Sequence, residues 1–264
     1  MRLTIVGPGR AGGAIALAAT RSGHEIAGVL SRTGETRYGR SLSWDEDLPD
    51  SDLLLIAVRD DAIEEVAARL APHVSSRSVS VAAHLSGFTP VTALHALARA
   101  GVATGGFHPL QTLPDPELGA VALNAAYVGI GGAPAAAESL YRFAVSLGMI
   151  PFPLADESRP GYHAGAAAAA NFVITALATA GDLMRAARVD PGVTRPLVER
   201  AVSNLYEAGP GALTGPIARG DVSTVIGQLE AARRVSEAVG DQYRLMAEAT
   251  AILAGRKDDI ARWS

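Results

Sequence analysis

The sequence predicts an α/β chain in which a doubly wound, mostly parallel sheet is followed by a second, all-helical domain. Three observations carry this. Short β-branched runs alternate with alanine-rich helical stretches as far as residue 156, a glycine turn joins the first strand to the first helix, and beyond Asp156 only helical patterns continue. The expected domains are therefore 1–156 and 157–264.

Leu3-Thr4-Ile5-Val6 reads as a strand leading through the glycine turn into a helix to about Ser22, and Glu25 to Leu30 as the next strand. Asp52 to Val58 is almost continuously apolar, as expected of a strand covered by helices on both faces. A helix is expected from about Ala62 to Leu70, then a strand from Ser78 to Ala83. Thr89 and Pro90 supply an N-cap and an N1 proline for a helix through Ala100. Further strands are expected around 102–105, 126–130 and 149–154, with a helix from about Pro134 to Leu147 before the last. The second domain reads as helices from His163 to about Ala187, Thr194 to about Ala208 and Val222 to about Leu253, punctuated by Pro191, Pro210 and Pro216.

The 264 residues are 48% hydrophobic and 19% charged, enough apolar surface for a large core. A formal charge of −4 gives no basic field for nucleic acid or an anionic membrane, so neither partner is expected. The lack of cysteine removes disulfides, thiolate metal sites and cysteine nucleophiles, and the scattered histidines form no H-x-x-x-H pair, so no metal is expected. Met1 to Gly7 runs straight into a strand with no apolar leader, and a soluble cytoplasmic protein is expected. Ala164 to Gly181 carries no charge, but it is mostly alanine and contains Asn171, Thr175 and Thr179. It reads as a buried helix that other helices approach closely, not as a membrane span.

Gly7-Pro8-Gly9-Arg10-Ala11-Gly12 is a G-x-G-x-x-G between a strand and a helix, the context that dinucleotide binding requires. Gly7 permits the tight turn, Gly9 lets a pyrophosphate approach the backbone, and Gly12 lets helix and strand pack closely. The second strand ends in Ser31-Arg32-Thr33, where NAD-selective sites usually place a carboxylate for the ribose 2′-OH. Two hydroxyls and a guanidinium suit a 2′-phosphate instead, so NADP(H) is the expected cofactor, with Arg37 or Arg40 placed to share the contact.

Val58-Arg59-Asp60-Asp61 follows the third strand, where ligands bind in open α/β folds. Val58, Arg59 and Asp60 are candidate cofactor contacts, and Asp60 or Asp61 is also the simplest N-cap for the next helix. His84-Leu85-Ser86-Gly87 and Phe107-His108-Pro109 each lie just past a strand, so His84 and His108 are candidates to converge where a nicotinamide would sit. Imidazole titrates near neutrality and can supply a proton as hydride arrives; hydrogen bonding to loop carbonyls is the alternative use of both rings. His163 and Asn171 are eight positions apart, about 80° around an ideal helix, and so would border one cleft. Thr214 and Arg219 sit on a Gly/Pro loop, where Arg219 would pair with a substrate carboxylate or clamp Asp221.

Taken together, the glycine turn, Val58 to Ile63, His84 to Gly87, Phe107 to Gln111, Tyr162-His163-Ala164 and Leu213 to Asp221 resemble the bacterial Rossmann-like proteins with a C-terminal DUF2520 domain, over nearly the whole chain. The layout is similar to ketopantoate reductases, pyrroline-5-carboxylate reductases and β-hydroxyacid dehydrogenases, which pair a Rossmann domain with a helical substrate and dimerisation domain. The resemblance implies an NADPH-dependent reductase, a homodimer formed through the helical domain, and ketopantoate as the leading small carboxylate substrate, with a role in pantothenate synthesis. A cyclic imine is the alternative substrate, and a non-catalytic NADP(H) sensor or assembly protein the alternative class. One departure concerns the proton donor. Ketopantoate reductases and β-hydroxyacid dehydrogenases carry K-x-x-x-N on the first helix of the second domain; if Asn171 matches that Asn, Ala167 stands at the Lys position, and the sole lysine is Lys257. His163, His108 or His84 must then supply the proton, with Asn171 and Ser86 orienting the substrate oxygen and Arg219 or Arg59 holding its carboxylate.

Overall fold

The computed structural model describes residues 1–75 and 77–263, in two compact units, Met1–Ala167 and Ala168–Ser264. The division falls inside the helical stretch that follows the last strand.

The first unit is built on seven strands: β1 (Arg2–Val6), β2 (Glu25–Leu30), β3 (Ser51–Ile56), β4 (Val79–His84), β5 (Ala103–Pro109), β6 (Tyr127–Gly132) and β7 (Ile150–Pro153). Their order is β2-β1-β3-β4-β5-β6-β7, parallel throughout except where β6 runs antiparallel to β5. The order reverses at β1, which creates a crevice at the carboxyl ends of β1 and β3. Leu30, Val6, Ile56, His84 and Gly106 form one row across five strands, so the glycine turn and the first histidine leave the sheet from the same edge.

Side chains alternate between two buried layers. Leu3, Ile5, Leu53, Leu55 and Phe107 face α1 (Arg10–Arg21), α4 (Pro116–Ala122) and α5 (Pro134–Ser146) through Ile15, Leu123, Leu140 and Phe143. Val6, Leu54, Ile56 and Ala82 face α2 (Ile63–Leu70) and α3 (His95–Arg99) through Ile63, Leu70, Leu94 and Leu97. Each such large side chain, fully buried, contributes roughly 1.5–3 kcal/mol. Thr4 and Ser51, polar within the sheet, satisfy each other at 2.7 Å between hydroxyls.

Two N-caps depart from expectation. Thr89 caps nothing: Val91–Leu94 is a 3-10 turn entered through Pro90, and the Val91 N–H donates to the Asp156 carboxylate at 2.9 Å. Neither Asp60 nor Asp61 caps the helix after β3; a 3-10 turn Asp60–Ala62 begins at Arg59 without a side-chain cap, and Asp61 pairs with Arg59. The helix α4 escapes the periodicity, although Asp115 caps it by accepting from the Leu118 N–H at 2.8 Å.

The helical run after β7 begins with α6 (Arg159–Ala167), passes through a π-helical turn Ala168–Phe172 and continues as α7 (Val173–Ala186). A π turn inserts an extra residue, so the ideal-helix count from His163 to Asn171 does not apply. The expected buried helix is corrected too: Phe172 and Ile174 are 69% and 61% exposed in the single chain. By length and composition alone the continuous helix Asp156–Ala186 is long and apolar enough to cross a membrane, a weak criterion that core helices of soluble proteins also meet.

The second unit continues with α8 (Arg195–Ala208), α9 (Pro216–Arg219), α10 (Val222–Val235) and α11 (Glu237–Leu253). The expected single helix over 222–253 is broken because Ser236 takes an extended conformation and caps α11, accepting from the Val239 N–H at 3.1 Å. A small core of Val225, Leu229, Ala247, Ala251 and Trp263 joins α10, α11 and the C-terminal segment. Thr179 is buried and donates to Gln242 at 2.9 Å.

Candidate cofactor cradle and imidazole cluster

The glycine turn has the shape its spacing implies. Gly7 takes φ +87°, where a side chain would be strained, and its N–H donates to the Leu30 carbonyl at 2.9 Å. A Cβ on Gly12 would run into the Gly7 carbonyl, whereas a Cβ on Gly9 would meet nothing within 4 Å. The turn is thus closed where the chain packs on itself and open where a phosphate would approach. Gly9 is the N-cap of α1 and no side chain caps it, nor is any residue of the first turn acidic, so free N–H groups and the helix dipole favour an anion there. Arg10 is exposed, and Pro8 and Ala11 are half-buried beside it.

At the end of β2, Ser31 is buried and its hydroxyl lies 3.4 Å from that of Thr33. The Ser31 carbonyl accepts from the Trp44 indole at 3.1 Å, which braces this corner. Arg32 is exposed and has no ion pair among the described residues, while Arg37 pairs with Glu117 at 2.6 Å and Arg40 with Glu46 at 3.8 Å. Of the three arginines, Arg32 is the one without an ion pair among the described residues. Val58 is half-buried and packs near the Gly7 turn; exposed Arg59 makes a two-pronged bond to Asp61, at 2.8 and 3.1 Å. Asp60 is exposed at the start of its 3-10 turn.

The candidate histidines of the first unit gather at the ends of β4 and β5. His84 is wholly buried, and its Nδ1 accepts from the Ser86 N–H at 3.2 Å; Nε2 is buried near the Pro90 backbone without a well-formed hydrogen bond among the described residues. Burial, then the nearby Arg159 cation, lowers its pKa to about 4. The ring is neutral at physiological pH. His108 is half-buried, with Nδ1 2.7 Å from the Tyr162 hydroxyl and its ring against Gly87. Burial, then the His163 and Arg159 charges, bring it also to about 4, while burial pushes Tyr162 up to about 12. His163 stacks edge-on against His108, ring centres 6.0 Å apart, and against Phe88 at 6.2 Å; its Nδ1 is buried without a partner among the described residues. The Ser86 hydroxyl accepts from the Phe88 and Thr89 N–H groups at 3.1 and 2.8 Å, so it shapes the loop and has only its proton left to give.

Sequence reasoning misses three members of this cluster. Tyr162 stands beside His163 and was legible as a neighbour. Asp156 and Arg159 were not: Arg159 is fully buried, donating from Nε to Asp156 at 2.7 Å and from one terminal nitrogen to the Ser86 carbonyl at 3.0 Å. Nothing in local periodicity marks an arginine for complete burial.

In the second unit Asn171 is exposed, and its backbone carbonyl accepts from Thr175 at 3.0 Å. Thr214 and Arg219 are exposed on the loop around α9. Of the two uses open to Arg219, the clamp is not made as an ion pair: Asp221 caps α10 and bonds Thr224 and Ser223. These bonds, Thr224 first, hold the Asp221 carboxyl below the usual range.

A two-sided parallel sheet with a phosphate-shaped glycine turn, followed by a helical unit, defines a Rossmann-type two-domain protein. More particularly, the chain carries a Rossmann-like domain over residues 1–109 followed by the domain of unknown function DUF2520 over residues 126–250. No curated protein matches it in sequence. Among solved structures it is similar to BF3122 from Bacteroides fragilis, provisionally described as an NADP oxidoreductase, with TM-score 0.81 and 21% identity, covering 95% of this chain and 98% of that one. An imine reductase from Myxococcus stipitatus in complex with NADP+ follows the fold at TM-score 0.69 and 17% identity, covering 100% and 99%. Pyrroline carboxylate reductase from Plasmodium falciparum, with NADP bound, does so at TM-score 0.64 and 12% identity, covering 96% and 98%.

Proposed function

We propose that this chain is an NADPH-dependent oxidoreductase that reduces the C=O of a small 2-oxo acid, with ketopantoate, giving pantoate, as its leading substrate. One observation carries the reading: a single unit presents, at the carboxyl edge of its sheet, an open glycine cradle and an imidazole cluster with one ring, His163, left partly accessible. The cofactor assignment is supported by Gly9, open where a pyrophosphate would lie, and by unpaired Arg32. Gly7, Pro8, Gly9, Arg10, Ala11 and Gly12 would hold the pyrophosphate, Ser31, Arg32 and Thr33 the 2′-phosphate, and Val58, Arg59 and Asp60 would flank the nicotinamide side. NADPH, when bound, supplies a hydride.

The chain's own residues manage the proton. His84 is sealed in the core, and His108 is neutral and engaged with Tyr162, which leaves His163 to donate to the oxygen that gains charge. His108 and Tyr162 fix the His163 ring by edge contact and by their own hydrogen bond. Asn171, Thr214 and Arg219, all exposed in the second unit, are proposed as substrate contacts on the strength of their residue types, Arg219 having no ion pair among the described residues.

A second reading, reduction of a C=N bond in a cyclic imine, is favoured by the single lysine, Lys257, and by the likeness to imine and pyrroline carboxylate reductases. The exposed apolar faces of α7 and α8 support a homodimer formed through the helical unit. A cysteine-free chain using a reduced nicotinamide suits the cytoplasm. The test is NADPH consumption by purified protein offered ketopantoate, other 2-oxo acids or pyrroline-5-carboxylate, with NADPH affinity measured in parallel. Turnover of ketopantoate supports the first reading and of the imine alone the second; tight binding without turnover of any of them points to another substrate or to a cofactor sensor.

A further inference from the structure

Arg159 is the one arginine or lysine that is fully buried among the described residues, and burying a guanidinium is costly unless its bonds compensate. Compensation here is incomplete. Nε donates to Asp156 and one terminal nitrogen to the Ser86 carbonyl, while the other terminal nitrogen is buried without a partner, over Gly106, where a Cβ would collide with it. An apolar residue of similar volume would fill such a place at less cost, so stability alone does not account for it.

The bonds show what it holds. Asp156 accepts from Arg159 through one oxygen and from the Val91 N–H through the other, so both ends of the Ser86–Val91 segment are fastened to one ion pair, Ser86 through Arg159 and Val91 through Asp156. Between those anchors lie Gly87, which receives the His108 ring, and Phe88, which meets His163 edge-on. We infer that Arg159, braced by Asp156, is a positioning residue that fixes the loop after β4 and thereby sets the His108 and His163 rings for proton delivery.

The charges around the rings agree. Arg159 opposes protonation of both His84 and His108, Asp60 favours it at both, Asp156 favours it at His84, and His163 opposes it at His108. The catalytic half of the inference rests on the reductase reading; the structural half does not.

The experiment compares wild type with Arg159→Gln, Arg159→Lys and Asp156→Asn in the full chain, following imidazole titrations by NMR, amide exchange across Ser86–Val91, and kcat and KM separately. Arg159→Gln is expected to raise the His84 and His108 midpoints by about half a pH unit or more. Arg159→Lys keeps the charge and the low midpoints but loses the fixed fork, so kcat falls roughly tenfold with KM and NADPH affinity changing less than about twofold. Asp156→Asn keeps one acceptor oxygen where the carboxylate uses two, so either the Val91 or the Arg159 bond is lost and exchange across Ser86–Val91 speeds up, which decides the matter if the arginine variants do not fold. Unchanged midpoints in Arg159→Gln, or unchanged exchange in Asp156→Asn, would overturn the inference. Should wild type turn over no substrate, the reductase reading fails while titration and exchange still judge the strut.

Discussion

The two units spend their apolar residues in opposite ways. In the first, leucines, isoleucines and phenylalanines fill layers on both faces of a seven-stranded sheet. In the second, the one core cluster among the described residues has five buried members, whereas Leu197, Tyr206 and Leu245 are 69%, 85% and 67% exposed and α8 buries none of its residues. The first unit therefore closes on itself, while the second shows a surface that a monomer rarely leaves to water. The glycine turn and the imidazole cluster both belong to the self-contained unit, and the exposed apolar faces to the other.

Four outcomes would sharpen or break that contrast. The largest is expected at His163: His163→Ala should lower kcat by roughly 10²–10³-fold with little change in NADPH affinity, and His108→Ala somewhat less, as measured by steady-state kinetics beside fluorescence titration of the cofactor. Equal losses of binding and turnover would mean that the cluster serves the cofactor, not the proton.

The second concerns pH. His84 takes its proton near 4 in the folded chain against 6.5 for the free side chain, so between those values the unfolded state binds the extra proton. The stabilisation is complete above about pH 6.5 and is lost as pH falls toward 4, by up to roughly 3 kcal/mol from this residue. Urea denaturation at about pH 5 and about pH 7 should reveal the slope, and His84→Asn should reduce it, leaving the part that His108 contributes.

Third, Arg32→Ala should weaken NADPH by roughly 10–100-fold and NADH by less than about threefold, since only the former offers the 2′-phosphate. Equal weakening of the two would assign Arg32 to a general phosphate contact. The smallest effect is expected in the helical unit, where Leu197→Glu should weaken self-association by about tenfold or more in sedimentation, leaving NADPH affinity intact. A wild-type monomer at every concentration would remove the proposed dimer and leave the exposed face without an account.

The sequence makes some of this plain for physical reasons. The turn at Gly7 and Gly12 is readable because positive φ and close backbone approach admit almost nothing but glycine. The caps at Asp115 and Ser236 were equally readable in principle, an Asp-Pro and a Ser-Glu pair at helix starts, and the run of apolar periodicity around them obscures the breaks. Arg159 lies beyond such reading, because its burial is decided by Ser86, Gly106 and Asp156, which only the folded sheet brings to it. The exposure of Phe172 and Ile174 is of the same kind: composition marks them as apolar, but not what covers them.

The most direct test of the reductase account is transfer from NADPH carrying deuterium at both nicotinamide C4 positions, with ketopantoate and pyrroline-5-carboxylate as acceptors and mass analysis of the product. The account predicts one deuterium on the reduced carbon of one of these products, and far less of that product with His163→Ala. Saturable NADPH binding with no deuterium in either product would contradict it.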